Sequence, residues 1–392
     1  MTAPALSQAA PNSGAGYPPI RVAHLIHTMA HGGVETALLN WCRTLDRTLV
    51  EPHLICFANP GASEQPFVEA ARSLGFPVTL VKWDRTKPVL RASRQVAAYL
   101  REHQCNLLHC HNTYANATGL LAARFFRVKT MTTLYVWGKF GWKREALQRL
   151  DQLLMKGFDL VSAHCESCFQ DTVARGIPAS RLELLVCGYP ASPAVLSHAD
   201  RVAKRESFGA EESDKVLIFM ARFWPEKAHD NLLKGFRLLL EQHPAARLWL
   251  PGTGPELERI RALCTHMGLD ARVNFLGFQK DPDGLLAAAD MQVHPSDNEG
   301  VALAICAGMS TGLPIVASRV GGLPEVLKDG ENAILIPPRD PHAFAAAVGR
   351  LLDHPEEATR LGNNAREFIA KRYSLQAATR KLESVYRSLL GI

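Results

Sequence analysis

The sequence predicts an α/β protein of two doubly wound halves, each a parallel sheet with helices on both faces. Three observations predict it. Short runs rich in Val, Ile and Leu alternate with amphipathic helical stretches almost from end to end, and that alternation builds parallel sheets. The alternation breaks at 188–200, the Pro-, Ser- and Ala-rich stretch GYPASPAVLSHAD, and then restarts. The length, 392 residues, is enough for two cores at about 150 residues per domain.

In chain order, residues 1–18 lack both a basic start and an apolar core, so they read as a flexible tail rather than a signal peptide. The first half, 19–187, carries candidate strands at 21–27, 53–58, 77–82, 106–110, 129–135, 158–163 and 182–186. Helical periods lie between them, as in Val34, Leu38, Trp41 and Leu45. The linker 188–200 follows. The second half, 201–370, repeats the pattern at 215–220, 246–251, 272–276, 290–294, 314–318 and 333–336. The last stretch, 371–392, is a helix with Ser374 as N-cap and Leu375, Ala378, Leu382, Val385 and Leu389 along one face.

Composition excludes several classes. With 47% hydrophobic and 21% charged residues, the chain has too much apolar content to stay disordered. It has no run of eighteen apolar residues, so no helix is expected to span a membrane. Nine scattered cysteines favour reduced thiols and a cytoplasmic setting over a disulfide framework. Cys165 and Cys168 form a C-x-x-C beside His164, which without a second such pair is weak ground for zinc or redox chemistry. The net charge of +6 favours anionic partners.

The chemistry-bearing motifs fall at strand ends, where α/β sheets bind ligands. The first strand runs into Gly32-Gly33-Val34-Glu35 and then a helix, a turn that lets backbone approach a phosphate. The competing reading is a tight turn in which Glu35 only complements the helix dipole. In the second half, Arg222 and Lys227 follow a strand and could hold a diphosphate from two sides. Gly252 and Gly254 make the next strand-to-helix turn. Glu299 then precedes a helix, free for sugar hydroxyls, while amides around Gly300, Val301, Ala302 and Leu303 face a phosphate. Gly321 and Gly322 repeat the arrangement, so three glycine-bearing strand ends line one nucleotide pocket.

Taken together and in order, these residues resemble the family 4 glycosyltransferases, which have the two-domain GT-B fold. The resemblance runs from about residue 20 to the C-terminus and is stronger in the second half. Gly32-Gly33-Val34-Glu35 matches the family's G-G-x-E loop, and His109-Cys110-His111 its H-x-H. Arg222 and Lys227 match the diphosphate clamp. The runs 252–256, 295–300 and 321–325 match its G-x-G-P-E, P-S-x-x-E-G and G-G-x-P-E turns. The resemblance implies two Rossmann-like domains facing a cleft, with the C-terminal helix crossing back to the N-domain. It implies a retaining, metal-independent hexosyl transfer from a nucleotide diphosphate sugar, with no cofactor. It further implies that Arg222, Lys227 and Glu299 carry the chemistry and that the leaving phosphate oxygen accepts the acceptor's proton. Gly32, Gly33, Gly252, Gly254, Gly300, Val301, Ala302, Leu303 and Tyr135 would then surround the donor, with His111 on the acceptor side.

Three positions depart from the family pattern. Ala307 stands where a second Glu usually holds the donor ribose, and Tyr135 ends Thr133-Leu134-Tyr135 where a T-x-H is common. Cys187-Gly188 replaces the usual N-G at the domain junction. Ala307 keeps two alternatives open, a non-catalytic nucleotide-sugar-binding protein and a GT-B sugar-nucleotide epimerase.

Asp281-Pro282-Asp283 reads as a polar turn capping a helix rather than a metal-binding D-x-D. His109 and His111 are expected to part on leaving their strand, so that one at most faces the cleft. Between Arg124 and Arg149, seven Lys or Arg stand against one acid, Glu145, and interleave with aromatics. This suits either peripheral contact with an anionic membrane at the cytoplasmic face or a solvated loop. No nucleic-acid motif accompanies the charge. The expected acceptor is a glycan or lipid-linked hydroxyl in cell-surface or exopolysaccharide synthesis.

Overall fold

A computed structural model describes residues 18–28, 32–58, 65–84, 86–135, 142–190 and 195–392, the side chains of 142–144 excepted. The expected tail 1–18 (apart from Pro18), His31, Lys139, Phe140, the side chains of Trp142, Lys143 and Arg144, and linker residues 191–194 lie outside the described residues.

The first half runs β1 (Ile20–Ile26), α1 (Gly33–Thr44), β2 (Val50–Ala58), α2 (Pro66–Ser73), β3 (Val78–Lys82), α3 (Val89–Glu102), β4 (Leu107–Cys110) and α4 (Thr113–Phe125). It continues through β5 (Lys129–Leu134), α5 (Trp142–Met155), β6 (Leu160–Ala163), α6 (Glu166–Ala174) and β7 (Leu182–Leu184). These strands make one parallel sheet in the order β3-β2-β1-β4-β5-β6-β7.

The second half runs α7 (His198–Ser207), β8 (Lys215–Ile218), α8 (His229–Leu240), β9 (Ala246–Pro251), α9 (Leu257–His266), β10 (Val273–Gly277), α10 (Pro282–Ala288) and β11 (Met291–His294). Then come α11 (Leu303–Thr311), β12 (Ile315–Ser318), α12 (Leu323–Val326), β13 (Ile334–Ile336), α13 (Pro341–Asp353), α14 (Pro355–Arg372) and α15 (Leu375–Leu390). The second sheet has the order β10-β9-β8-β11-β12-β13. Two doubly wound α/β domains of this kind are the GT-B architecture.

Every expected strand is present, with ends shifted by a few residues. The largest shift is at β2, which begins at Val50 because Pro52 does not interrupt it. Pairing with β1 starts at Val50 and pairing with β3 only at Leu54, so at Pro52 the strand is still an edge on one side and loses no ladder bond. The linker is shorter than expected. Ser197 accepts from the Asp200 amide at 3.1 Å and starts α7 at His198.

The closing helix returns to the first half. The Thr44 and Thr379 hydroxyls lie 2.6 Å apart, and Glu383 accepts from the Asp46 amide at 2.7 Å. Gly188 makes room for it, since a Cβ there would sit 2.6 Å from the Leu375 Cα. One apolar cluster runs across the seam and joins Cys165 and Cys168 of the first half to Val301, Ile305 and Leu323 of the second.

Candidate functional site

The second half supplies one rim of the cleft from the ends of four strands. Arg222 is exposed in the loop after β8. Lys227 closes the single turn Pro225–Lys227, and the next residue, Ala228, takes a left-handed φ of 51° while buried. A buried non-glycine in that region marks a backbone set by its surroundings. That conformation delivers the Lys227 ammonium to 2.5 Å from Glu299 Oε1. The same oxygen lies 2.6 Å from His294 Nε2.

Glu299 is therefore not free, as the sequence suggested, but engaged by two partners. Its burial would raise its pKa, yet the charge of Lys227 and the contact with His294 outweigh burial and hold the carboxyl well below its usual range. His294 opens the H-P-S run five residues before Glu299. The sequence shows it there, but only the fold gives it this partner.

Glycines draw these loops together. Gly252 has φ 143° and Gly321 has φ 50°. A Cβ at Gly252 would overlap the Ala221 carbonyl, and one at Gly321 would overlap that of Glu299. Gly254 packs against the Phe223 backbone in the same way.

The first half faces this rim with its own turn. Glu35 Oε2 accepts from the Gly32 amide at 3.0 Å, so Glu35 holds the start of α1. A Cβ at Gly32 would lie 3.8 Å from Arg222 Cδ, whereas Gly33 opens onto free space. The glycine pair of the first half and the arginine of the second are thus neighbours across the cleft.

The halves also touch at Gly300, where a Cβ would overlap the His164 ring and crowd the Tyr135 carbonyl. His164 Nδ1 lies 3.2 Å from the Leu134 carbonyl, and its Nε2 lies 3.1 Å from the Val301 amide. Burial lowers this imidazole to about 4. The ring is neutral, with Nδ1–H donating to Leu134 and Nε2 accepting from Val301. The Val301 amide, expected to face a phosphate, is taken by His164 in this arrangement. Ala302 caps α11, which begins at Leu303, and the first amides of a helix have no intrahelical partners. Leu303 packs its side chain on first-half residues.

A second bridge escaped the sequence reading. The Glu325 carboxylate accepts from the amides of Glu166 and Ser167, each at 2.8 Å, and so caps α6 from the other half.

His109 and His111 do not part. Residues two apart on a strand share a face, and the two ring centroids lie 4.2 Å apart, with His24 at 5.3 Å from each. His109 bonds Tyr386 of α15 at 2.8 Å and Thr133 at 2.7 Å. His111 is buried and reaches the Tyr135 hydroxyl at 3.1 Å and His24 at 3.0 Å. Both its nitrogens are occupied, so any effect of His111 on the cleft passes through Tyr135. Burial holds the Tyr135 phenol well above its usual range.

Ala307 is the fifth residue of α11 and is buried in a cluster with Ile218, Trp249, Leu285 and Leu286. It does not open on the space where a ribose was expected. Asp281 caps α10 by accepting from the Gly284 amide at 3.0 Å, as the sequence suggested, and it also pairs with Lys204.

Two groups among the described residues bring three potential metal ligands within 4.8 Å of one another, His24 with His109 and His111, and His164 with Cys165 and Cys168. All nine cysteines are buried thiols outside any disulfide. Arg124, Arg127, Lys129 and Arg149 of the basic stretch are exposed. Leu150 and Leu153 of α5 are 46% and 65% exposed. That helix therefore turns part of its apolar surface outward. No helix of the described residues is long and apolar enough to cross a membrane.

Comparison with known proteins speaks to family and fold. The family described as Glycosyl transferases group 1 matches residues 200–368, and the Glycosyl transferase 4-like domain matches 32–188. EpsD of Bacillus subtilis (strain 168) is 26% identical over 383 residues, covering 91% of this chain and 98% of EpsD. The N-acetyl-alpha-D-glucosaminyl L-malate synthase of Bacillus anthracis is 26% identical over 309 residues, covering 77% of this chain and 79% of that enzyme. Among solved structures, Anabaena Alr3699/HepE in complex with UDP and glucose aligns with a TM-score of 0.84 at 20% identity, over 94% of this chain and 100% of that one. That likeness is one of fold. With both halves matched in order and the fold shared, the chain belongs to the family 4 glycosyltransferases.

Proposed function

We propose that this glycosyltransferase moves a hexosyl group, with retention of configuration, from a nucleotide diphosphate sugar to a hydroxyl of a glycan or lipid-linked acceptor. The acceptor chemistry fits cell-surface or exopolysaccharide synthesis. The observation that carries the reading is the approach of Arg222 to Gly32 across the cleft, beside the Lys227–Glu299–His294 cluster. Arg222, Lys227 and the first amides of α11 neutralise the departing diphosphate, so that charge developing in the transition state meets prearranged cations. No cofactor is assigned. Glu299, fixed by two partners, places the donor sugar. Tyr135 completes the pocket from the first half, and the leaving phosphate oxygen takes the acceptor's proton on the same face. Orientation and domain closure supply most of the acceleration.

HepE was solved with UDP-glucose, which supports a uridine diphosphate sugar as the first donor to test. The test is a thermal-shift panel of UDP-, GDP- and ADP-sugars, since a ligand that binds the folded state raises apparent stability. It is followed by nucleotide release with and without a glycan acceptor. Failure of every sugar nucleotide to raise the Tm overturns the reading. Release that needs no acceptor points to epimerase chemistry instead.

The reading includes a cytoplasmic location with peripheral membrane contact, supported by exposed Arg149, Leu150 and Leu153 on α5. Sedimentation with anionic but not neutral vesicles, reversed by salt, is the expected result. Equal binding to both vesicles, or none, returns the acceptor to solution.

A further inference from the structure

The turn between β6 and α6 carries a cysteine pair that sugar transfer does not use. Cys165 is the N-cap of α6 and Cys168 lies three residues on, in its first turn. The two sulfurs lie within 4.8 Å of each other, and the Cys168 thiol donates to the Tyr135 carbonyl at 3.6 Å. A pair at this spacing on a helix N-terminus is placed for thiol–disulfide exchange, because the helix start favours the thiolate. Burial pushes Cys42, Cys56, Cys105 and Cys306 up to about 12. Cys165 moves the other way, its thiol lowered first by the neighbouring Cys168.

The pair also sits at the seam. A Cβ on Gly322 of the second half would lie 3.0 Å from the Cys165 sulfur. The Val301 amide, which His164 already accepts, also points at that sulfur. Cys165 therefore meets the second half at the loops after β11 and β12.

We propose that Cys165 and Cys168 form a reversible dithiol–disulfide couple, oxidised by a small-molecule disulfide such as oxidised glutathione, and that its oxidation loosens the contact with the Val301 loop. The Cys165 thiolate attacks one sulfur of the oxidant and expels a glutathione thiolate, leaving a mixed disulfide. Cys168 gives up its proton and attacks the Cys165 sulfur, which expels the second thiolate. Two protein thiols are oxidised and one glutathione disulfide becomes two thiols. The resulting disulfide sulfur is a poorer acceptor for the Val301 amide than a thiolate. Both thiols are buried in the closed arrangement, so exchange proceeds when the halves part. None of this depends on which sugar or acceptor is used.

The test equilibrates the full chain in buffers of reduced and oxidised glutathione, then alkylates and digests it with trypsin. Cleavage after Lys156 and Arg175 yields the peptide 157–175, whose only cysteines are Cys165 and Cys168. The expected peptide is two hydrogens lighter under oxidation and returns to the dithiol with dithiothreitol. Cys168→Ser should retain glutathione on Cys165, having no resolving thiol, and Cys165→Ser should acquire none. Amides at 300–303 should exchange about threefold faster or more in the oxidised protein. Alkylation of both thiols in every buffer overturns the couple, as does zinc retained by wild type and lost in Cys165→Ser. Unchanged exchange at 300–303 overturns its link to the seam.

Discussion

His24 and His111 lie with Nδ1 of the first 3.0 Å from Nε2 of the second, at the head of a chain that ends on the Tyr135 hydroxyl. Burial lowers His24 to about 3 and His111 well below its ordinary value, so both rings are neutral. His24 Nε2 is buried with no partner among the described residues. Orphaned buried N–H groups are rare and cost about 1–3 kcal/mol, which places the proton on Nδ1. His24 then donates to His111, and His111 donates from Nδ1 to the Tyr135 oxygen. The Tyr135 O–H is left to donate elsewhere.

Nitrogen NMR of histidine-labelled protein should accordingly show both His24 and His111 protonated at Nδ1, with neither ring titrating between about pH 5 and 9. A proton on His111 Nε2 would reverse the chain and make Tyr135 the donor into the protein.

Arg222 and Lys227 should separate in stability although both are assigned to the diphosphate. Arg222→Ala should lower kcat at least about tenfold, or ~1.4 kcal/mol, with the Tm unchanged. Lys227→Ala should lower both, because it strips the charge partner from buried Glu299, a loss of roughly 3–5 kcal/mol. Glu299→Gln on the Lys227→Met background should recover the Tm without recovering turnover. Wild-type turnover in Arg222→Ala would remove that residue from the site.

Glu299→Gln alone should slow turnover while leaving UDP affinity nearly intact, because the carboxylate is assigned to the sugar. Calorimetric titration of UDP and of UDP-glucose makes the comparison. Equal loss for both ligands would move Glu299 out of the sugar subsite.

Ala307→Glu should cost stability rather than restore a ribose contact. The new carboxylate would enter the cluster of Ile218, Trp249, Leu285 and Leu286, and burying an unpaired polar group is costly. A lower Tm with no gain in UDP affinity is expected. Tightening by roughly ten- to hundredfold with the Tm preserved would show that this helix face opens on the nucleotide.

Asp151 should make stability fall with rising pH. It is buried and accepts from Asn116 Nδ2 at 2.8 Å. Burial pushes the carboxyl up to about 6, above the lowering effect of its bonds to Asn116 and Thr113. The unfolded value is about 3.9, so between the two the folded state holds the extra proton. Stability is lost as pH rises through that window, by roughly 2–3 kcal/mol. Asp151→Asn should flatten denaturant-measured stability over about pH 4 to 6. An unchanged slope would place the titration elsewhere.

The thirteen strands and the rim glycines could be read from the sequence because they are local properties. A parallel strand buried on both faces reads as a continuous apolar run, and a strand-to-helix turn announces itself by glycine. The order of such turns was enough to identify the family and to point to Arg222, Lys227 and Glu299. What those residues touch is another matter. The His164–Val301 contact joins positions 137 apart and the Glu325–Glu166 contact positions 159 apart, and neither partner carries a local mark of the other. Glu299 read as free because nothing nearby in the chain shows Lys227 and His294 closing on one oxygen. Ala307 read as facing a ribose because spacing along a helix does not say which neighbour covers that face. Local pattern determined the elements and their ends. Only the packing of one half against the other decided which polar atoms were left for a ligand, since burial and hydrogen bonding depend on what the chain brings back from far away.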